Sequence, residues 1–158
     1  MAEYVCIVLH HVTGEDDQTT NQNLSTMTNH KATIQAVNAA FEKGSVEEFL
    51  TLCTPDVRWT MVGMGTWEGA DTIRANWTSM MAGAALPVIT EELILADGDA
   101  GMGRGIVTMQ RKDGSEMTMY YCDVYRFSGE KITELSSYCI EEKAQVNAAM
   151  AEPAAAMA

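Results

Sequence analysis

Positive charge is scarce in this chain of 158 residues: ten Lys and Arg stand against 22 Asp and Glu, a formal net charge of −12. A surface so acidic repels phosphate backbones and anionic headgroups, so neither nucleic acid nor a membrane is an expected partner. Histidine is limited to His10, His11 and His30, and the four cysteines (Cys6, Cys53, Cys122, Cys139) show no C-x-x-C spacing. A zinc site therefore has no support, and no metal or other cofactor is expected. Scattered thiols in a chain of this size suit a reducing compartment, hence a cytoplasmic location. No apolar run is long enough to span a bilayer. Tyr4–Val12 is apolar but short, follows Glu3 rather than a basic residue, and makes a poor signal peptide. What is present is ordinary globular composition, 47% hydrophobic and 20% charged, enough for one domain with a sizeable core. The twelve methionines suit adaptable core filler better than a ligand box.

The chain divides into a helical first half and a β second half. Residues 1–28 form an N-terminal extension in which Tyr4–Val12 could be an accessory strand and the polar stretch 13–29 reads as a linker. Ile34, Val37 and Phe41 recur at helical spacing, which predicts a first helix over 31–43, stopped by Gly44. Ser45-Val46-Glu47-Glu48 is a capping box for a short second helix, followed by an alternating strand over 57–62. Gly69-Ala70-Asp71 opens a third helix carrying Ile73, Trp77 and Met80 on one side. Strands are expected over about 86–96, 102–111, 117–127 and 132–141, and residues 143–158 are an Ala-rich tail. Helices first and a long antiparallel sheet last indicate α+β, a curved sheet wrapped around three helices, which the resemblance described below makes cone-shaped.

The most telling segment is Met117–Glu141. Side chains alternate across a strand, so Met117, Met119, Tyr121, Asp123, Tyr125 and Phe127 share one face. One carboxylate among methionine and aromatics is poorly solvated and prefers its neutral form, a condition typical of functional sites and also of structural ion pairs. The turn Ser128-Gly129-Glu130-Lys131 reads as a tight hairpin that sets Asp123 opposite Ser136 and Tyr121 opposite Tyr138. The turn Lys112-Asp113-Gly114-Ser115 sets Arg104 opposite Asp123, unless a bulge sends Arg104 to the other face. These pairings predict one polar cluster: Asp123, Arg104, Ser136, Tyr121 and Tyr138. Trp59 and Trp67 flank the expected pocket mouth, whereas Trp77 belongs to the core. Glu68 and Asp71 compensate the dipole of the third helix. Gly101-Met102-Gly103-Arg104-Gly105 lacks the form of a phosphate loop and reads as a closely approached strand. Cys122 points away from Asp123 across the strand.

Four segments together resemble the nuclear transport factor 2-like superfamily: FEKGSVEEFLTLCTPDVRW, TWEGADTIRANW, CDVYRF and GEKITELSSY. The resemblance covers residues 29–142 and points to SnoaL-like polyketide cyclases and ketosteroid isomerase. It implies a conical pocket that serves isomerases, cyclases, dehydratases, epoxide hydrolases and binders alike. Asp123 lies in the D-x-x-R-F context where the isomerase holds a protonated Asp. The isomerase's helix-one Tyr matches Val37 here, and the first strand offers Arg58-Trp59-Thr60-Met61 in place of its general-base Asp. Limonene-type epoxide hydrolases use an Arg, matched by Arg104, but their acids appear as Ile106 and Ser137. Scytalone-type dehydratases need pocket histidines, and all three histidines here precede the body of the domain. SnoaL-like cyclases ask only for an acid/base carboxylate in a hydrophobic pocket, which Asp123 can supply.

The resulting expectation is a cofactor-independent enzyme doing cyclisation or isomerisation on a hydrophobic carbonyl compound. Asp123, Tyr121 and Arg104 are its catalytic candidates. Trp59, Met61, Trp67, Met119, Tyr125, Ser136 and Tyr138 are its substrate-binding candidates. The alternative is a non-catalytic small-molecule-binding or assembly domain. A cavity beside Asp123 lined by Trp59, Met61 and Tyr121 favours the enzyme; a tight Asp123–Arg104 pair without a cavity favours the alternative. The strand face opposite Asp123, with Thr118, Tyr120, Cys122 and Val124 beside Thr133, Leu135 and Cys139, has no helices left to cover it. A homodimer through that face is expected, the alternative being a monomer in which the strand Tyr4–Val12 covers it.

Overall fold

The computed structural model describes residues 15–81, 85–111 and 113–142, with side chains from residue 29 onward. The expected accessory strand at Tyr4–Val12 and the Ala-rich tail lie outside the described residues. Three helices and six strands follow in the order α1 (Glu15–Glu42), α2 (Val46–Thr51), β1 (Cys53–Met61), β2 (Gly65–Glu68), α3 (Ala70–Met81), β3 (Val88–Asp97), β4 (Ala100–Gln110), β5 (Glu116–Ser128) and β6 (Lys131–Glu141). The strands form one curved, open sheet in the order β2-β1-β6-β5-β4-β3. Helices first and sheet last is the α+β arrangement the sequence predicts.

The first helix is longer than its apolar spacing. Residues 15–28, expected as part of a linker, belong to α1. They carry no apolar periodicity to reveal them, yet extending an existing helix adds a hydrogen bond per residue without a new nucleation cost. At the other end Gly44 takes a positive φ of 64° and closes the helix. Ser45 then caps α2, its hydroxyl accepting from the Glu48 backbone N–H at 3.2 Å.

Ile34, Val37 and Ala40 of α1 are fully buried with Phe49 of α2, Ile73 and Trp77 of α3, and Val57, Trp59, Tyr125, Ile132 and Leu135 of the sheet. Phe41, Phe49, Trp59 and Trp77 meet at ring separations of 4.6–6.0 Å. This aromatic cluster belongs to the core, and its members Phe41 and Trp59 also line the cavity described below. The glycines of β4 let α1 come close. A Cβ on Gly101 would stand 2.8 Å from Ile34 Cδ1, and one on Gly105 would stand 2.1 Å from the Thr90 carbonyl oxygen. The glycine-rich segment is therefore a closely approached strand.

Two features of the sheet correct the sequence reading. The sheet is not antiparallel throughout: β1 runs parallel to β6, with Trp59 beside Leu135 and Met61 beside Ser137. The second correction concerns register. The β5–β6 hairpin turns where expected, with Ser128 opposite Lys131 and Phe127 opposite Ile132, but Thr133 is then an extra residue in β6. Beyond this bulge Asp123 faces Ser137, Tyr121 faces Cys139 and Tyr125 faces Leu135. The β4–β5 loop is also longer than a two-residue turn, and Asp123 faces Gly103 while Arg104 faces Cys122. A one-residue slip moves every side chain to the other face. Leu135 and Cys139, expected on the outer face, accordingly point inward.

Candidate functional site

Between the inner face of the sheet and the helices lies a cavity of about 170 Å³. Asn38 and Phe41 of α1, Met80 and Met81 of α3, and Pro87 form one side. Trp59, Met61, Ile89, Val107, Met109, Met119, Tyr121, Asp123, Ser137 and Cys139 form the sheet side. Five methionines make this wall predominantly soft and apolar. Its polar groups gather at one pole, where Asn38, Tyr121, Asp123 and Ser137 converge.

Asp123 is buried, and no Lys, Arg or His lines the cavity among the described residues. Two hydroxyls hold its carboxylate instead. Tyr125 Oη donates to Oδ2 at 3.3 Å, and Ser137 supplies a second hydrogen bond. Trp59 Nε1–H donates in turn to Ser137 Oγ at 3.0 Å, so the indole orients the serine and the serine serves the carboxylate. Burial outweighs both bonds and pushes Asp123 up to about 6 from the ordinary 3.8. A carboxylate with that value exchanges protons close to neutral pH. Burial likewise drives the Tyr121 phenol up to about 12, so it stays a neutral hydroxyl. Tyr121 Oη accepts from Asn38 Nδ2 at 3.2 Å.

The sequence-predicted residues separate into three groups. Asp123, Tyr121, Trp59, Met61 and Met119 line the cavity together. Tyr125 is fully buried beneath Asp123 and acts on it through its hydroxyl; Trp67 stands behind Trp59, edge-on at 5.0 Å, and does not line the cavity. Arg104, Ser136 and Tyr138 are corrections, because the bulge at Thr133 and the longer β4–β5 loop set all three on the outer face. Arg104 there meets Glu92 at 3.6 Å, both side chains partly exposed.

Asn38, Ser137 and Glu91 are not among the sequence-predicted site residues, although the epoxide-hydrolase resemblance sets Ser137 at the position of an acid. Asn38 interrupts the apolar stripe Ile34–Val37–Phe41, next to Val37, which matches the isomerase's helix-one Tyr. Ser137 was hidden by the bulge. His30, placed before the domain body from sequence, is buried within it. It stacks on Phe127 at 4.0 Å and donates from Nε2 to the Gly129 carbonyl at 2.8 Å, away from the cavity. Among the described residues no group of His, Cys, Asp and Glu is disposed to hold a metal ion.

Solved structures share this architecture. An NTF2-like protein of unknown function from Burkholderia pseudomallei K96243 aligns over 80% of this chain and 100% of its own, with 20% identity and a TM-score of 0.65. A candidate SnoaL-like polyketide cyclase from Jannaschia sp. CCS1 aligns over 81% and 96%, with 13% identity and a TM-score of 0.66. A protein of ketosteroid isomerase-like fold from Catenulispora acidiphila DSM 44928, in complex with trimethylamine, aligns over 67% and 83%, with 19% identity and a TM-score of 0.62. Identities this low establish the NTF2-like fold and leave activity to the site. No curated protein matches the chain. The SnoaL-like domain model matches residues 34–135, and with more than half of its length covered the chain belongs to the SnoaL-like domain family.

Proposed function

We propose that the cavity is the active site of a cofactor-independent acid/base enzyme acting on small hydrophobic carbonyl compounds. One observation carries this reading: Asp123, buried and without a counter-cation among the described residues, faces an apolar cavity, and that burial pushes it up to about 6. Ionised Asp123 takes a proton from the carbon α to the carbonyl, and the C–H electron pair moves into a C=C bond as the oxygen becomes an enolate. The Tyr121 hydroxyl donates to that oxygen. Return of the proton to a different carbon gives isomerisation; attack of the enolate carbon on an electrophile within the same molecule gives cyclisation. The cavity's single acid favours a second reading, a non-catalytic small-molecule holder. The trimethylamine complex of the C. acidiphila protein shows that a relative of this fold takes a small guest.

The outer face of the sheet supports a homodimer. Tyr120, Val124, Tyr138, Ile140, Leu93 and Leu95 are all exposed there, a broad apolar surface that pairing about a twofold axis would cover. No helix among the described residues is long and apolar enough to cross a membrane. Cys53, Cys122 and Cys139 are free thiols, which supports a reducing, cytoplasmic setting.

Hydrogen–deuterium exchange at the α′-carbon (C6) of cyclohex-2-enone in D₂O, followed by proton NMR, tests the catalytic reading. The enzyme-dependent rate should climb as pH rises through about 6, where Asp123 ionises, and then level off. Asp123→Asn should lower it on the order of 10²-fold. Exchange at the wild-type rate in that variant refutes the role of Asp123, and enone binding without exchange favours the holder.

A further inference from the structure

Asn38 has two hydrogen-bond partners of different character. Its Nδ2 donates to Tyr121 Oη at 3.2 Å and to Glu91 Oε2 at 3.2 Å. Glu91 lies on β3, solvent-exposed, and its second oxygen accepts from Gln35 Nε2 of α1 at 3.3 Å. A carboxylate can only accept, so an Asn38 amide turned the other way would set oxygen against oxygen. Glu91 thereby fixes which end of the amide is NH₂. That NH₂ group carries two hydrogens: one serves Glu91 and the other points at the tyrosine. Tyr121 Oη must then accept from Asn38, and its own proton is left for another acceptor. Tyr121 lines the cavity, so the open direction is toward a guest.

Resting on the catalytic reading above, we propose that Glu91 acts through Asn38 as a positioning residue. It turns the Tyr121 hydroxyl proton into the cavity, and so selects ligands of single-ring size that present a carbonyl or enolate oxygen there. The size follows from the volume. A cavity of about 170 Å³ is close to the ~150 Å³ that takes up one benzene ring. The acceptor requirement follows from the hydroxyl's direction. A ligand that offers only a donor at this pole would meet the tyrosine proton head-on and leave it unpaired.

The probe is cyclohex-2-enone labelled with ¹³C at the carbonyl, whose resonance moves downfield when its oxygen accepts a hydrogen bond. Bound to the wild-type protein it should show that shift, and Tyr121→Phe should abolish it while weakening binding on the order of fivefold. Asn38→Asp keeps the tyrosine but offers it an acceptor. The tyrosine proton should turn away from the cavity, and the downfield shift should disappear. Glu91→Gln, on an exposed side chain that the fold tolerates, lets the Asn38 amide adopt both orientations and should give an intermediate shift. A purely structural role for Glu91 or Asn38 would alter the melting temperature and leave the resonance of bound enone in place. A wild-type shift in both Asn38→Asp and Glu91→Gln overturns the relay, and no enone binding at millimolar concentration overturns the ligand class. The catalytic reading fails separately: Asp123→Asn should keep the downfield shift while losing exchange. If exchange persists in Asp123→Asn but the shift still follows Asn38, the relay stands without the chemistry.

Discussion

Replacing Asp123 by Asn should stabilise this protein at neutral pH and do so only above a defined pH. Folding raises the carboxyl from the ordinary 3.8 to about 6 through burial, so the folded state holds the proton more tightly than the unfolded chain. Below about 4 the group is protonated in both states and contributes nothing against folding. As pH rises through about 6 the folded protein must carry a buried charge, and the proton's contribution is lost. At 1.36 kcal/mol per pH unit, a shift of about two units amounts to about 3 kcal/mol at pH 8. An amide in the same place removes the charge. It keeps one oxygen for the Tyr125 and Ser137 hydroxyls but adds an NH₂ with a poorer set of partners, costing about 1 kcal/mol. The net expectation is a variant more stable than wild type by about 1–2 kcal/mol at pH 8, and no more stable at pH 4. Urea denaturation across pH 4–8 measures this, with the difference between the two proteins opening between about pH 4 and 6 and level above that. Two curves that stay parallel over the whole range would show that the carboxylate is not held against its ionised form. The account of the polar pole would then fall with it.

Two further expectations concern packing and assembly. Gly105→Ala should destabilise by about 2 kcal/mol or more in a thermal melt, because the new Cβ would meet the Thr90 carbonyl oxygen and the Tyr121 ring at 2.1 and 3.0 Å; an unchanged melting temperature would refute the close approach of β3, β4 and Tyr121. Light scattering should give twice the 17.2 kDa of one chain, and Ile140→Lys on the exposed outer face should return a monomer of unchanged helix content; a wild-type mass of one chain would rule out the dimer.

The elements with an apolar period were legible from sequence, and so were those with strong punctuation. Gly44 and Ser45 bound α1 and α2 because positive φ and a capping hydroxyl are local requirements that only a few residue types meet. The alternation around Asp123 identified its face correctly, since period two needs no partner strand. Which residues stand opposite Asp123 depended on a bulge, and Thr133 carries no mark in the sequence that distinguishes it from an ordinary strand residue. That single residue exchanged Ser136 and Tyr138 for Ser137 and Cys139 at the site. The parallel β1–β6 pair was illegible for a related reason: it joins segments some 70 positions apart, and no turn chemistry links them. The upstream half of α1 was illegible because residues 15–28 carry no apolar period, and continuing a helix requires only its backbone hydrogen bonds. Asn38 became meaningful only once Glu91 was seen across from it.

The methionines of the cavity have a consequence for how tightly a guest can be discriminated. Met80 and Met81 belong to a helix, and Met61, Met109 and Met119 to strands; each has three rotatable bonds and a polarizable sulfur. A wall of such groups remoulds at little cost, so the outline of an apolar guest is read as by wax, not by a mould. Trp59, Asp123 and Ser137 are tied to one another by hydrogen bonds and cannot remould in the same way. Errors of shape are thus forgiven and errors in the placement of one polar atom are not. If the cavity takes the guest proposed above, trading one methionine for another side chain would change the hydrocarbon accepted while the polar pole stays fixed.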